Sequence, residues 1–302
     1  MIRHAKKRAK LPVSDKIYYA FAYTYTILLT AIVLYPLILT LSSSFSSGVA
    51  VSTGKVILWP VNPTLIGYRK VFEYQKVWIG YRNTIFYTGV GTLINVAFTL
   101  IAAYPLARKN LPDRKFITFL FTFTMLFSGG MIPSYLLISN LGILNTVWTM
   151  LLPGAIGVTQ LIVTRTFLSR GIPDGMLEAA QIDGCSDFRF FFEFVLPLSK
   201  AVIAVIALQY AIGHWNSYFN AFLYLSDKNL YPLQIFLREI LIMNQVAESA
   251  SGMQADMIAE QQGVADILKY ALIVVSTAPI LTIYPFVQKY FVQGVMIGSL
   301  KE

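Results

Sequence analysis

Five stretches of this 302-residue chain contain no Asp, Glu, Lys or Arg: 17–54, 83–107, 116–164, 201–226 and 270–288. A helix that crosses a bilayer needs about 20 mostly apolar residues, so each stretch can supply a crossing. The 49-residue run 116–164 is too long for one. It is punctuated by Gly129-Gly130-Met131-Ile132-Pro133 and by Asn140-Leu141-Gly142, and it reads as two. The expected fold is all-α: a polytopic membrane bundle of six transmembrane helices at about 17–42, 83–107, 115–138, 146–168, 198–225 and 267–289. Charged residues make up only 13% of the chain, against about 25% in soluble domains, which excludes disordered, collagen-like and disulfide-scaffold classes. Cys185 is the single cysteine and His4 and His214 the only histidines, so an internal disulfide and a His-based metal centre are not expected.

Lys and Arg accumulate on the cytoplasmic side of membrane proteins. The segments 1–16, 108–115, 165–200 and 289–302 share one side in a six-span topology and hold 16 of the 24 basic residues. Both termini are therefore expected in the cytoplasm. Residues 1–16 form a basic cytoplasmic N-terminus, and 17–302 form the transmembrane domain. The net charge of +9 is mostly this topology signal rather than a sign of nucleic-acid binding. The cluster Arg3, Lys6, Lys7, Arg8 and Lys10 suits lipid headgroups. The first apolar run far exceeds a signal-peptide core, and an uncleaved first span is expected.

The cytoplasmic segment 165–200 has a pattern of its own. Pro173 and Asp174 make a helix start, with Asp174 able to cap free N–H groups. Met176, Ala179, Ala180 and Asp183 fall on one helical face, Gly184 can end the helix at positive φ, and Phe188 to Phe194 lead to Leu196-Pro197. Small side chains at Ala179 and Ala180 admit close approach by a partner, with Glu178 and Asp183 as charged handles. Such a helix suits docking into another protein's groove.

Glu178-Ala179-Ala180, Gly184 and Leu196-Pro197 together resemble the EAA loop of ABC importer permeases, the binding-protein-dependent inner-membrane components. The segments Ser128–Pro133, Asn140–Gly142, Gly213–Asn220, Tyr231–Gln234 and Gln288–Gly298 extend the likeness to the carbohydrate and oligosaccharide subgroup. Phe194 and Ala201 depart from the pattern, where isoleucine and proline are usual. The resemblance implies that 174–197 is a cytoplasmic coupling helix and loop, with Glu178, Ala179, Ala180, Asp183, Gly184, Leu196 and Pro197 facing or shaping an ATPase contact. It also implies a bacterial cytoplasmic (inner) membrane location and a set of partners. These are a second homologous permease, two copies of an ATP-binding cassette ATPase that bind ATP and Mg, and an extracytoplasmic solute-binding protein delivering a sugar. The C-terminal tail, Gly298 to Glu302, could reach the ATPases as it does in some relatives.

The chain itself has no recognisable cofactor site or catalytic set and is not expected to be an enzyme. Gly48 to Lys55 only superficially matches a phosphate-binding loop, because the glycine spacing is wrong and Val56 replaces the required Ser or Thr. A substrate pathway is expected along the fifth span. Asn216 and Asn220 lie four apart on a face with Gly213, beside Trp215, and Tyr218 adds a hydroxyl. Amides and aromatic rings suit sugars, but the same residues can serve as glue between helices. His214 is expected to make an interhelical hydrogen bond rather than relay protons. External Lys55, Arg69, Lys70, Lys76 and Arg82 hint at an acidic oligosaccharide. The competing function is an ion-coupled secondary carrier, which would need ionisable relays within the spans.

Overall fold

The computed structural model describes residues 12–250, 263, 265–283 and 285, and among them all regular structure is helical. The basic cluster at 3–10, Asp256 and Glu260 of the long external segment, and the C-terminal motif at 288–298 lie outside the described residues. In chain order the helices are α1 (Val13–Ser44), α2 (Gly48–Ser52), α3 (Ile66–Glu73), α4 (Gln75–Ala107), α5 (Arg114–Leu126), α6 (Met131–Asn140), α7 (Trp148–Leu151) and α8 (Val158–Gly171). They continue with α9 (Asp174–Ile182), α10 (Asp187–Phe190), a π-turn at Phe191–Val195, α11 (Leu196–Leu198), α12 (Lys200–Trp215), α13 (Phe219–Tyr224), α14 (Leu233–Ala250) and α15 (Ala265–Ile283).

Among the described residues α1, α4 and α15 are each long and apolar enough to cross a membrane, and two bent pairs could each make another crossing. Expected span 17–42 lies within α1, 83–107 within α4, and the described part of 267–289 within α15. The other three expected spans are interrupted. Within 115–138, α5 and α6 meet at 115°, where Gly130 takes φ +89° and Pro133 denies a donor to the first turn of α6. Within 146–168 the backbone leaves the helix between α7 and α8, through Pro153 and Gly154 at φ +73°. Within 198–225, α12 stops at Trp215 and α13 resumes at Phe219. At its other end α12 is bent by 79° from the α10–α11 segment.

The chain divides into two compact units, one drawn from residues up to Val71 and Asn244–Val274, the other from Phe72–Met243 and Val275 onward. In the first unit the polar end of α1 is folded into its loop. Ser42 Oγ donates to Leu58 O (2.6 Å), Ser46 Oγ accepts from Val61 N (3.0 Å), and Ser44 Oγ meets Tyr68 OH at 2.8 Å. Outward, α1 presents exposed Ile17, Phe21 and Leu37, the surface expected where lipid or another subunit is the solvent.

The second unit is organised around α4, which packs on α12 and α8. Asn83, Tyr87, Gly91, Asn95, Thr99 and Ala103 recur every fourth residue along α4, and all are buried. That spacing traces one ridge of the helix. The ridge is polar through most of its length, and at its last turn it becomes apolar. There Ala103, Leu106 and Ala107 join Leu161, Leu168, Ile172, Phe190 and Val195 in a hydrophobic core.

Candidate functional site

Residues 174–197 pack onto that apolar end of α4. Leu177 and Ala180 lie against the core on the inner face of α9. Glu178, Ala179, Asp183 and Gly184 are exposed. Ala180 thus departs from the face expected for it, because the helix must spend an apolar side on the bundle to stay attached. Ile182 takes its place outside at 88% exposure, and Phe188 is 74% exposed. Each of these bare apolar side chains stands next in sequence to a carboxylate, Asp183 beside Ile182 and Asp187 beside Phe188. Phe188 opens the aromatic run that the sequence shows, but nothing in the sequence marks Ile182 as outward-facing, since whether an apolar residue faces in or out depends on packing.

The ends of α9 are held locally. Asp174 does not cap the helix; no side-chain cap is made at its start. Its carboxylate instead accepts from Lys109 Nζ at 2.9 Å, since the α4–α5 loop runs alongside. The Lys109 ammonium, by hydrogen bond and charge, holds the Asp174 carboxyl below its usual range. At the C-terminal end Gly184 takes φ +77°, Gly184 N–H donates to Gln181 O (3.0 Å) and Cys185 N–H to Ala180 O (2.9 Å). This closure satisfies carbonyls that the helix leaves open. Ser186 then caps α10, accepting from Arg189 N at 3.3 Å. Phe190 is fully buried, and the π-turn carries the chain through Phe194 to Leu196-Pro197.

Deeper in the bundle the α4 ridge satisfies the backbone that the broken helices leave open. In hydrocarbon every such group needs a partner. Asn95 Nδ2 donates to Gly154 O and Ala155 O, both at 3.0 Å, and Asn95 Oδ1 lies 2.6 Å from His214 Nε2. Both amide protons are committed to carbonyls, so the Asn95 oxygen must accept. His214 therefore carries its proton on Nε2 and is held as an interhelical link. Its ring rests on Gly91, where a Cβ would come within 2.5 Å. Tyr210 OH accepts from Gly157 N at 2.9 Å and pairs with Thr99 at 2.7 Å. Toward the N-terminal end of α4, Asn83 Nδ2 donates to Asn229 O (2.6 Å) and Tyr231 O (3.0 Å), and Tyr87 OH to Leu230 O (2.8 Å).

The residues expected to line a pathway do not share one surface. Trp215 is buried, its Nε1 donates to Ser276 O at 3.0 Å, and its ring stands edge-on to Tyr81 at 6.5 Å. Asn216 ends α12 and turns its amide back on its own helix, donating to Ile212 O at 3.0 Å. The helix is therefore broken before Asn220, and the four-residue argument that put Asn216 and Asn220 on one face does not hold. Tyr218 is exposed and Asn220 half-buried. An apolar cavity of about 400 Å³ lies beside Trp215, lined by Ile85, Leu208, Ile212 and Pro279 among others. Its walls are unsuited to a sugar.

Residues 84–297 match the family model described as binding-protein-dependent transport system inner membrane component. The chain is 38% identical over 96% of its length, and all of the relative's, to the polygalacturonan/rhamnogalacturonan transport system permease protein YtcP of Bacillus subtilis. It is 39% identical to protein LplC of the same organism over 90% of each chain. Among solved structures it is similar to a chain of a bacterial ABC transporter involved in the import of the acidic polysaccharide alginate. There the TM-score is 0.83 at 31% identity, covering 94% of this chain and 99% of that one.

Proposed function

We propose, because this chain belongs to the family of binding-protein-dependent transport system inner membrane components, that it forms one half of the channel of an ATP-driven importer of acidic oligosaccharides. It is a multi-pass permease of the ABC sugar-importer class. The substrate reading is supported by one relative named for polygalacturonan and rhamnogalacturonan transport and one solved structure described as importing the acidic polysaccharide alginate, and by exposed Lys55, Arg69 and Lys70 on the segment assigned outside. The full topology is six spans with both termini cytoplasmic, three of the spans being interrupted helices. Within the complex a second permease completes the pathway, two ATPase copies bind ATP and Mg, and a solute-binding protein delivers the sugar.

The observation that carries this reading is the exposed α9 surface. Ala179, Ile182 and Gly184 present a small, apolar contact edged by Glu178 and Asp183, and Leu196-Pro197 returns the chain to the bundle. This surface docks on the ATPase. At the break between α12 and α13, Tyr218 and Asn220 offer accessible polar groups to a passing sugar, while Trp215, which is buried, and Asn216, whose amide is spent on Ile212 O, shape the break. Hydrolysis belongs to the partner ATPase. The carrier alternative would need a free ionisable relay, whereas His214 is committed to Asn95.

The test is uptake of oligogalacturonides into proteoliposomes holding the whole complex, with and without ATP and binding protein. Uptake should require both and be lost in Glu178→Lys with membrane insertion of the chain intact. Uptake that follows an ion gradient and ignores ATP rejects the proposal.

A further inference from the structure

The apolar core joins 174–197 to α4, and Arg108 lies at the joint against its aromatic rings, while Arg165 donates to Leu106 O beside it. Arg108 ends α4. Its guanidinium carbon lies 4.8 Å from the Tyr104 ring centroid and 5.2 Å from that of Phe190. Its Nη2 also donates to Tyr104 OH at 3.1 Å, and its carbonyl accepts from Arg114 Nη1 at 3.1 Å. Phe190 is fully buried and is the last residue before the π-turn. Beyond it the rings continue: Phe190 stacks on Phe194 at 5.1 Å, and Tyr104 meets Phe191 at 5.1 Å. A π-turn is a costly irregularity that tends to sit at functional positions, and here it begins where the arginine touches.

We propose that Arg108 is a positioning residue that passes displacement of the 174–197 segment to α4, a proposal that rests on reading that segment as the ATPase contact. Two links join the segment to the end of α4 through charge. The Lys109–Asp174 pair is the weaker, because Lys109 is 80% exposed and such pairs are screened by salt. Arg108 is half-buried against a wholly buried ring, so its contact is less open to screening by salt than the Lys109–Asp174 pair. A planar guanidinium can stack against Tyr104 and Phe190 while its Nη2 donates to Tyr104 OH, a geometry that the point charge of a lysine ammonium does not reproduce. Movement received at Phe190 is thereby delivered to the helix whose ridge holds Asn95 and the interrupted backbone at Gly154 and Ala155.

The experiment uses the reconstituted complex with Arg108→Lys, Phe190→Leu and the double variant, measuring oligogalacturonide uptake per ATP hydrolysed and the amount of assembled complex. Each single variant should lower uptake per ATP by roughly tenfold with assembly at the wild-type level. The double variant should be no worse than the worse single, because both remove the shared Arg108–Phe190 contact. Unchanged uptake per ATP, a loss that tracks lost assembly, or single effects that multiply would each overturn the proposal. A wild-type complex that transports without hydrolysing ATP would show instead that the reading of 174–197 is wrong, and the proposal falls with it.

Discussion

Replacing Asn95 by leucine tests whether the α4 ridge is what holds the broken helix. The substitution conserves shape but removes three hydrogen bonds, two donated to Gly154 O and Ala155 O and one accepted from His214. At about 0.6 kcal/mol for an average interhelical bond in a membrane and about 1 kcal/mol for a typical protein one, the direct loss is about 2–3 kcal/mol. The two carbonyls lie where no helix can pair them, so leaving them open adds about 1 kcal/mol or more. The total is about 3–4 kcal/mol, or a fall of roughly 5–10 °C in the apparent unfolding temperature for a chain of this size. Asn95→Asp sharpens the test: it keeps an acceptor for His214 but loses both donors and sets a carboxylate against two carbonyl oxygens. It should cost at least as much as the leucine. Thermal scans of the purified complex at one heating rate would measure both. If either variant unfolded within about 2 °C of wild type, the ridge would not be supporting the interruption.

Three further outcomes follow from single contacts. Gly91→Ala should destabilise by about 1–3 kcal/mol, read in the same scans, because its Cβ would come within 2.5 Å of the His214 ring. Gly184→Ala should cost about 1–2 kcal/mol from its left-handed backbone alone, since nothing lies within 4 Å of a Cβ there; ATP-driven uptake should fall with it if α9 must end there. Asp174→Asn should weaken the complex at neutral pH. Because Lys109 depresses the folded-state carboxyl, that contribution is present above its ordinary pKa of 3.8 and vanishes as pH falls through the lower folded value. The stability difference between wild type and variant should therefore be flat from about pH 5 to 8 and disappear in strong acid.

The apolar runs made α1, α4 and α15 readable, because length and hydropathy suffice to mark a helix that crosses lipid. Gly129, Gly130 and Pro133, which punctuate the run 116–164 in the sequence, stand where α5 and α6 bend. The α7–α8 interruption carries a comparable Pro153-Gly154 signal, yet it was read through, because apolar residues flank it and hydropathy does not fall. The end of α12 carries no such mark. Asn216 ends the helix by donating to Ile212 O, a local bond that competes with helical continuation. His214 matched its expected interhelical role. Its partner Asn95 was missed, although Asn83, Tyr87, Asn95 and Thr99, all at multiples of four residues, are a visible signal within an apolar run. In the α9 region the spacing of Glu178, Ala179, Ala180 and Gly184 was enough to find the element. Which side chains face outward depended on the core under Leu177 and Ala180.

The most direct measurement is a thiol cross-link at Ala179→Cys in a Cys185→Ser background, made in the assembled complex. The account predicts a covalent link to the ATPase subunit whose yield changes when ATP is bound, and a thiol reachable only from the cytoplasmic side. A thiol labelled by an impermeant reagent from outside intact cells, with no link to any ATPase, would contradict it.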